Sequence, residues 1–280
     1  MPPDAERIVE TALMRSAIRF ALGSHGRIAG FHVWSGLAGM GKSTAARYAV
    51  QQCETGTVCG VPVDFRAEYV LAPEISRSSS SAFDDPLWAL YSHFVRHAPR
   101  RSTDKSRLAI ELATYFQSTR TAFLFIDEAG QMNHPRAFAG LTHLLNTAAT
   151  LTPRWMMSIV LVGMNNLPAL VTREPQVESR ILNWFAFKAY TETHDVYRLL
   201  ATSFPEVAAL DAAAAATHAT MQALMKVSGG SLRGMVGLVQ AAKTLWAEAP
   251  LSASLVEMAH QVKVINKKEV DSMMRTNWVP

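Results

Sequence analysis

The sequence predicts an α/β fold, with a doubly wound, parallel five-stranded sheet followed by a helical region. Three observations lead to this prediction. Residues 36–43 read GLAGMGKS and lie between a strand-like apolar run and a helical run. Residues 122–126 form a continuous apolar run, which is typical of a central parallel strand buried on both faces. Strand and helix patterns alternate up to about residue 190, and helix patterns alone follow.

The first elements are a helix, a strand and a second helix. Apolar residues recur at helical spacing from Ile8 to Leu22, which predicts an amphipathic helix over residues 4–22. The apolar run at 31–35 predicts the first strand, and the run at 44–50 predicts the helix after the glycine-rich loop.

This glycine-rich loop fits the phosphate-binding pattern G-x-x-x-x-G-K-[ST] at every fixed position. Its glycines let backbone N–H groups turn toward phosphate oxygens, and the next helix N-terminus adds partial positive charge. We expect the Lys42 ammonium to reach the β- and γ-phosphates and the Ser43 hydroxyl to bind Mg²⁺. The predicted cofactors are therefore ATP and Mg²⁺. The predicted nucleotide-binding residues are Gly36, Gly39, Met40, Gly41, Lys42, Ser43 and Thr44.

The later elements follow from the same patterns of apolar residues. Four more strands are predicted, at residues 68–72, 122–126, 158–163 and 183–188. Helices are predicted between these strands, at residues 84–97, 106–118 and 136–149. Four more helices are predicted near residues 192–204, 208–226, 231–247 and 253–263. Five successive alanines at 212–216 support the second of them by propensity.

Two acidic residues, Asp127 and Glu128, directly follow the most apolar predicted strand. We expect Asp127 to hold the Mg²⁺ shell, mostly through water, and Glu128 to orient and deprotonate the attacking water. The alternative is a pair of solvated loop acids. Their position after a phosphate loop favours the catalytic interpretation.

The order of these motifs resembles that of AAA+ ATPases. The resemblance implies a P-loop AAA+ sheet with a C-terminal helical lid. The ESRI segment at 178–181 is similar to the subunit-interface motif of the family, whose arginine reaches the γ-phosphate of a neighbouring subunit. The GSLR segment at 230–233 is similar to the second sensor, whose arginine contacts that phosphate from within the subunit. Catalytic roles are thus implied for Arg180 and Arg233, and a surface salt bridge is the alternative for each.

The first-sensor position departs from the family pattern. The family usually has a polar residue just after the strand that ends here at Gly163, whereas this chain has Met164, followed by Asn165 and Asn166. Either Asn165 takes the catalytic role through a one-residue shift, or hydrolysis is slow and regulatory. A third interpretation is that the two asparagines simply form a turn.

Within the AAA+ proteins, residues 25–245 resemble the transposition regulators, namely phage Mu B protein, TnsC, TniB and, more distantly, IstB. The similar segments are IDEA at 126–129, VLVG at 160–163 and SRI at 179–181. The resemblance implies a ring or helical filament on duplex DNA that marks the target and recruits and activates a DDE transposase, together with a target-selector protein. Hydrolysis of ATP would drive disassembly. The expected domains are an N-terminal helix (1–22), a nucleotide-binding domain (23–190) and a helical lid with a C-terminal tail (191–280).

The DNA contacts implied by this resemblance lie in two basic stretches. One contains Arg77, followed by serines, and the other contains Arg100, Arg101 and Lys105. Arginine, lysine and hydroxyl groups suit non-specific contacts with phosphates, although each stretch could instead be a solvated face. The net charge of +4 permits a nucleic-acid partner without requiring one.

Other functions remain open at this point. They are a helicase or replication-initiator loader of similar AAA+ build, a signalling or secretion NTPase that does not bind DNA, and a nucleotide-binding structural protein without turnover. No run reaches the ~18 apolar residues that a membrane span needs, and the N-terminus lacks a signal-peptide apolar core. We therefore expect a cytoplasmic protein without a membrane partner. Cys53 and Cys59, the two cysteines, suit neither a disulfide framework nor a zinc site.

Overall fold

The computed structural model describes residues 9–23, 29–73, 86–95, 104–132, 135–151, 155–246 and 249–276. The chain forms two compact units. The αβ unit contains Ala12–Leu37 and Gly41–Phe187, and the helical unit contains Met1–Thr11, Ala38–Met40 and Lys188–Pro280. No helix in the described parts of the chain is long and apolar enough to span a membrane.

The αβ unit is built on a five-stranded, all-parallel sheet, which confirms the predicted fold class. The strands in chain order are β1 (Phe31–Gly36), the short β2 (Thr57–Val58) and β3 (Val61–Pro62), β4 (Arg66–Leu71), β5 (Thr121–Asp127), β6 (Ser158–Gly163) and β7 (Ile181–Phe187). The order across the main sheet is β4-β5-β6-β1-β7. Strands β5 and β6 are buried along their whole length, because they lie inside the sheet and helices cover both faces.

Strands β2 and β3 form a small antiparallel hairpin that the sequence pattern does not predict. Two-residue strands are too short to show any periodicity. Its two-residue loop has positive φ at Cys59 (49°) and Gly60 (82°), as a type I′ turn requires.

Seven α-helices are described in the αβ unit, namely α1 (Ala12–Leu22), α2 (Lys42–Glu54), α3 (Pro86–Phe94), α4 (Lys105–Ser118), α5 (Pro135–Leu151) and the short α6 (Leu167–Val171) and α7 (Pro175–Glu178). The first helix starts at Ala12 rather than at residue 4, since residues 9–11 are not helical and residues 4–8 lie outside the described ranges. The chain passes from the helical unit to the αβ unit at this point. The buried residues of α1, from Met14 to Leu22, recur at helical spacing.

The helical unit contains α8 (Thr193–Ser203), α9 (Pro205–Ala208), α10 (Ala215–Ser228), α11 (Leu232–Leu245) and α12 (Ala253–Thr276). It has an apolar core of its own, which includes Val196, Leu200, Val207, Leu224, Met235 and Val256.

One predicted helix, over residues 208–226, is wrong as a continuous element. The structure has α9, then a turn, then α10, and the alanine run straddles the start of α10. Asp211 explains the interruption, because its Oδ1 accepts the Ala213 N–H (3.0 Å) and its carbonyl oxygen accepts the Ala214 N–H (3.0 Å). This local turn competes with helix, and the propensity of alanine does not overcome it.

Candidate nucleotide-binding site

The glycine-rich loop connects β1 to α2, as predicted. Gly39 and Gly41 have φ of 77° and 82°, a left-handed conformation that residues with a Cβ rarely adopt. Gly41 directly precedes α2, and its position has no side-chain cap. The first N–H groups of α2 therefore suit an anionic ligand, which their partial positive charge would attract.

Lys42 begins α2, and its side chain is buried, with 8% of the residue exposed. Its Nζ donates hydrogen bonds to the carbonyl oxygens of Gly36 (3.0 Å) and Leu37 (2.7 Å). The ammonium is thus held against the backbone of the loop. A bound phosphate could accept from the same group at that place.

The other loop residues differ in exposure. Ser43 and Thr44 lie in the first turn of α2, where Ser43 is half-buried and Thr44 is exposed. Gly39 and the buried Met40 belong to the helical unit. A Cβ on Gly36 would lie 2.6 Å from the carbonyl oxygen of Phe187, so glycine also allows β1 and β7 to pack closely.

Asp127 ends β5 and is 3% exposed. Its Oδ1 accepts the backbone N–H of Glu128 (2.9 Å), and its Oδ2 accepts the hydroxyl of Tyr69 (2.6 Å). Glu128 is exposed and has a left-handed backbone, with φ of 54° and ψ of 33°. Such a conformation costs about 1–3 kcal/mol in a non-glycine residue and is concentrated at functional sites. Because of this backbone conformation, Glu128 does not continue the alternating side-chain pattern of β5.

The two proposed metal ligands fit Mg²⁺. The hydroxyl of Ser43 and the carboxylate of Asp127 are hard oxygen donors, which Mg²⁺ prefers. Among the residues that the structure describes, no cluster of three or more His, Cys, Asp or Glu could hold a metal. A site with a single carboxylate agrees with this, because Mg²⁺ usually completes its shell with water and substrate phosphates.

The first-sensor segment, residues 164–166, is an exposed turn between β6 and α6. The side chain of Asn166 lies near Gly130, two residues after Glu128. Its Oδ1 would be 3.8 Å from a Cβ placed on Gly130. Asn165 is exposed, and its catalytic role remains a prediction.

Arg180 lies at the opposite edge of the sheet from the phosphate loop. Strands β1 and β7 are parallel, and Phe31 and Ile181 begin them side by side. The carbonyl oxygen of Arg180 accepts the N–H of Phe31 (2.9 Å). At about 3.3 Å a residue, the loop at the end of β1 is roughly 17 Å further along the strands. An arginine side chain is far shorter, so Arg180 cannot contact a phosphate in the loop of its own chain.

Arg233 is the second residue of α11 and is exposed. The Ser231 hydroxyl caps this helix by accepting the Gly234 N–H (3.4 Å). Within the helical unit, the N–H of Leu232 donates to the Gly39 carbonyl oxygen (3.0 Å). The start of α11 is therefore bound to one of the loop glycines.

Of the four predicted DNA-contacting residues, Arg77, Arg100 and Arg101 lie outside the described ranges. Lys105 is the first residue of α4 and is exposed. It follows the N-cap Asp104, whose carboxylate accepts the N–H of Ser106 (3.3 Å).

Tyr69, which the sequence does not predict as a site residue, contacts Asp127 directly. Burial and the hydrogen bond to Asp127 raise the pKa of Tyr69 to about 12. The sequence predicts the strand that carries Tyr69 but not its register against β5, and the register creates this contact.

Comparison with known proteins places the chain in a family. The AAA domain family model matches residues 27–171, more than half of the chain, and the chain belongs to this family. The protein is therefore a P-loop AAA+ protein, and the predicted resemblance to AAA+ ATPases is confirmed at this level. No curated protein matches the chain significantly by sequence.

Solved structures share the fold at low sequence identity. The ORC2 protein of Aeropyrum pernix, in its ADP form, is 17% identical with a TM-score of 0.56, over 92% of this chain and 71% of that one. Drosophila ORC bound to DNA is 14% identical with a TM-score of 0.56, over 91% and 62%. Domain III of the replication initiation protein DnaA from Thermotoga maritima is 14% identical with a TM-score of 0.52, over 91% and 93%.

The first prediction concerns Lys42. Substitution Lys42→Ala, and the longer apolar Lys42→Met, should weaken ATP binding roughly 100-fold, because hydrogen bonds to charged groups contribute about 1.5–3 kcal/mol. Titration with a fluorescent ATP analogue measures this. Lys226→Ala, at an exposed position in the last turn of α10, is the control. Unchanged affinity in folded Lys42 variants would contradict the assignment of the loop.

The second prediction separates ATP binding from hydrolysis at Glu128. Substitution Glu128→Gln should leave ATP affinity nearly unchanged and reduce turnover roughly 100-fold or more, since a general base contributes about 10²–10⁴. Phosphate release measures turnover, and Glu257→Gln, at an exposed position of α12, is the control. Turnover at the wild-type rate would show that Glu128 is not the base.

Proposed function

We propose that this AAA+ protein is an ATP-dependent, DNA-binding regulator of DNA transposition that works as a homo-oligomer on duplex DNA. The position of Arg180 carries the homo-oligomeric part of the proposal, because this residue lies roughly 17 Å along the strands from the phosphate loop of its own chain. A role for Arg180 in hydrolysis therefore requires a second copy, and a ring or filament supplies one at every interface.

In the proposed cycle, the loop residues and Asp127 bind ATP with Mg²⁺. The ion, when bound, neutralises charge on the phosphates. Lys42 binds the β- and γ-phosphates, while Ser43 and Asp127 hold the metal shell. Glu128 accepts the proton of the attacking water. Arg180 of one copy stabilises the developing charge at the site of the next, an effect of roughly 10³–10⁵ in other phosphoryl-transfer systems.

The helical unit has two proposed roles in this cycle. Arg233 would contact the γ-phosphate from within the same chain, as the resemblance of residues 230–233 to the second sensor implies. Residues 191–280 would act as the lid of a nucleotide-binding domain over residues 23–190, with 1–22 as an N-terminal helix. Met164 in place of a polar sensor supports slow hydrolysis, which suits a timed switch whose turnover triggers disassembly.

The transposition function in particular rests on the similar segments IDEA, VLVG and SRI. The proposed partners are a DDE transposase and a target selector. Duplex DNA would be bound through phosphate contacts of Arg77, Arg100, Arg101 and Lys105. Phosphate contacts carry no base information, so target marking by this surface would not depend on sequence.

A second candidate is a replication-initiator or helicase loader. It is favoured by the fold similarity to the DnaA domain and to Drosophila ORC bound to DNA. The two functions can be distinguished by identifying the protein that binds the ATP-bound form. The ATP-bound form should bind a DDE transposase encoded beside it and stimulate strand transfer. A replicative helicase as the ATP-dependent partner would instead support the second candidate.

The third prediction tests DNA binding. Affinity for duplex DNA should require ATP and fall with salt. The slope of log affinity against log salt is negative, and loss of each true phosphate contact should make it shallower by roughly 0.9. Alanine variants of Arg77, Arg100, Arg101 and Lys105 are compared across a salt series, with Lys226→Ala as the control.

Two results would count against this account. Unchanged slopes for all four variants would place the DNA surface elsewhere on the molecule. Absence of any ATP-dependent binding to duplex DNA would favour an NTPase that acts in signalling or secretion.

A further inference from the structure

Tyr69 reaches the end of the neighbouring strand. In the parallel pair β4–β5, Tyr69 lies beside Phe125, two residues before Asp127. Diagonal neighbours on adjacent strands are within reach of aromatic side chains. The Tyr69 hydroxyl uses this reach to donate a hydrogen bond of 2.6 Å to Asp127 Oδ2.

The two hydrogen bonds of Asp127 fix the plane of its carboxylate. Oδ2 accepts from the Tyr69 hydroxyl, while Oδ1 accepts from the Glu128 N–H at 2.9 Å. One donor is a side chain and the other is backbone, and they hold different oxygens. A carboxylate that is held at both oxygens cannot rotate freely about its terminal bond.

Arg47 also contacts Tyr69. Its guanidinium carbon lies 5.2 Å from the centre of the Tyr69 ring, within the range of a cation–π contact. Arg47 is four residues after Ser43 on α2, and residues at this spacing share one face of a helix. Arg47 and Tyr69 therefore connect the helix that carries Ser43 with the strand that carries Asp127.

We propose that Tyr69 is a positioning residue for the Mg²⁺ site, that it fixes the Asp127 carboxylate for the metal shell, and that Arg47 acts through Tyr69. This inference rests on the nucleotide site proposed above. Without the hydroxyl, Oδ2 loses its donor, and the carboxylate must be ordered when the ion binds. Loss of a group that orients a metal ligand typically weakens metal affinity about 10–100-fold.

The fourth prediction is a shift in Mg²⁺ dependence in Tyr69→Phe, which removes one oxygen atom. The affinity for a fluorescent ATP analogue is measured across a Mg²⁺ series and in EDTA. The Mg²⁺ midpoint should rise about 10-fold or more, while the affinity in EDTA stays at the wild-type value. If Tyr69 positions Asp127 for the metal, the Mg²⁺ midpoint changes while the affinity in EDTA does not. General damage to the loop would lower the affinity both with Mg²⁺ and in EDTA.

Tyr91→Phe is the matched control. It removes the same kind of bond, since the Tyr91 hydroxyl donates to Glu111 Oε2 at 2.5 Å, between α3 and α4. Its Mg²⁺ midpoint should equal that of the wild type. Thermal unfolding of both variants shows whether the fold is retained.

Arg47→Gln tests the second part of the proposal. It should shift the Mg²⁺ midpoint in the same direction, by less than Tyr69→Phe. Because Arg47 acts through Tyr69, it should have no further effect in the Tyr69→Phe background. Full additivity of the two shifts would overturn the proposed route from Arg47 to Asp127.

The outcomes separate this inference from the nucleotide site itself. A wild-type protein whose ATP affinity does not respond to Mg²⁺ would overturn the proposed site, and the inference with it. A wild-type response with an unchanged midpoint in Tyr69→Phe would overturn the role of Tyr69 alone. Equal losses with Mg²⁺ and in EDTA would also overturn it.

Discussion

The site depends on the parallel direction of the strands in the αβ unit. Because β1, β5 and β6 run the same way, their carboxyl ends bring the phosphate loop, the Asp127–Glu128 pair and the 164–166 turn to one edge of the sheet. The same constraint puts Arg180, at the amino end of β7, on the other edge. If Arg180 takes part in hydrolysis, as proposed, it must therefore act at the site of a second copy.

The phosphate loop places a buried ammonium group, that of Lys42, at the start of α2, where an anion would bind. Burying an ammonium is costly unless hydrogen bonds compensate, and two acceptors of Lys42 are neutral carbonyl oxygens. Phosphate oxygens would bring full negative charge to the same ammonium group, and hydrogen bonds between charged groups are stronger than those to neutral acceptors. Glu128, at the same edge, has a left-handed backbone, a conformation that costs energy in a residue with a Cβ.

The sequence predicts the parts of this molecule that short-range patterns determine. The phosphate loop has fixed residues, and β5 and β6 are apolar throughout because both of their faces are buried. The contact of Tyr69 with Asp127 could not be predicted, since it depends on which residues of β4 and β5 pair. The break before α10 was missed for a related reason. One aspartate there binds the backbone locally and outweighs a run of alanines.

If each hydrolysis site is shared between two copies, two inactive variants that lack different parts of the site should complement each other when mixed. Glu128→Gln lacks the base and Arg180→Ala lacks the arginine, so each alone should hydrolyse ATP poorly. In a random one-to-one mixture, about a quarter of head-to-tail interfaces pair an intact Glu128 with an intact Arg180. ATPase activity should therefore return on mixing. No recovery at any mixing ratio, with both variants folded and able to bind ATP, would contradict it.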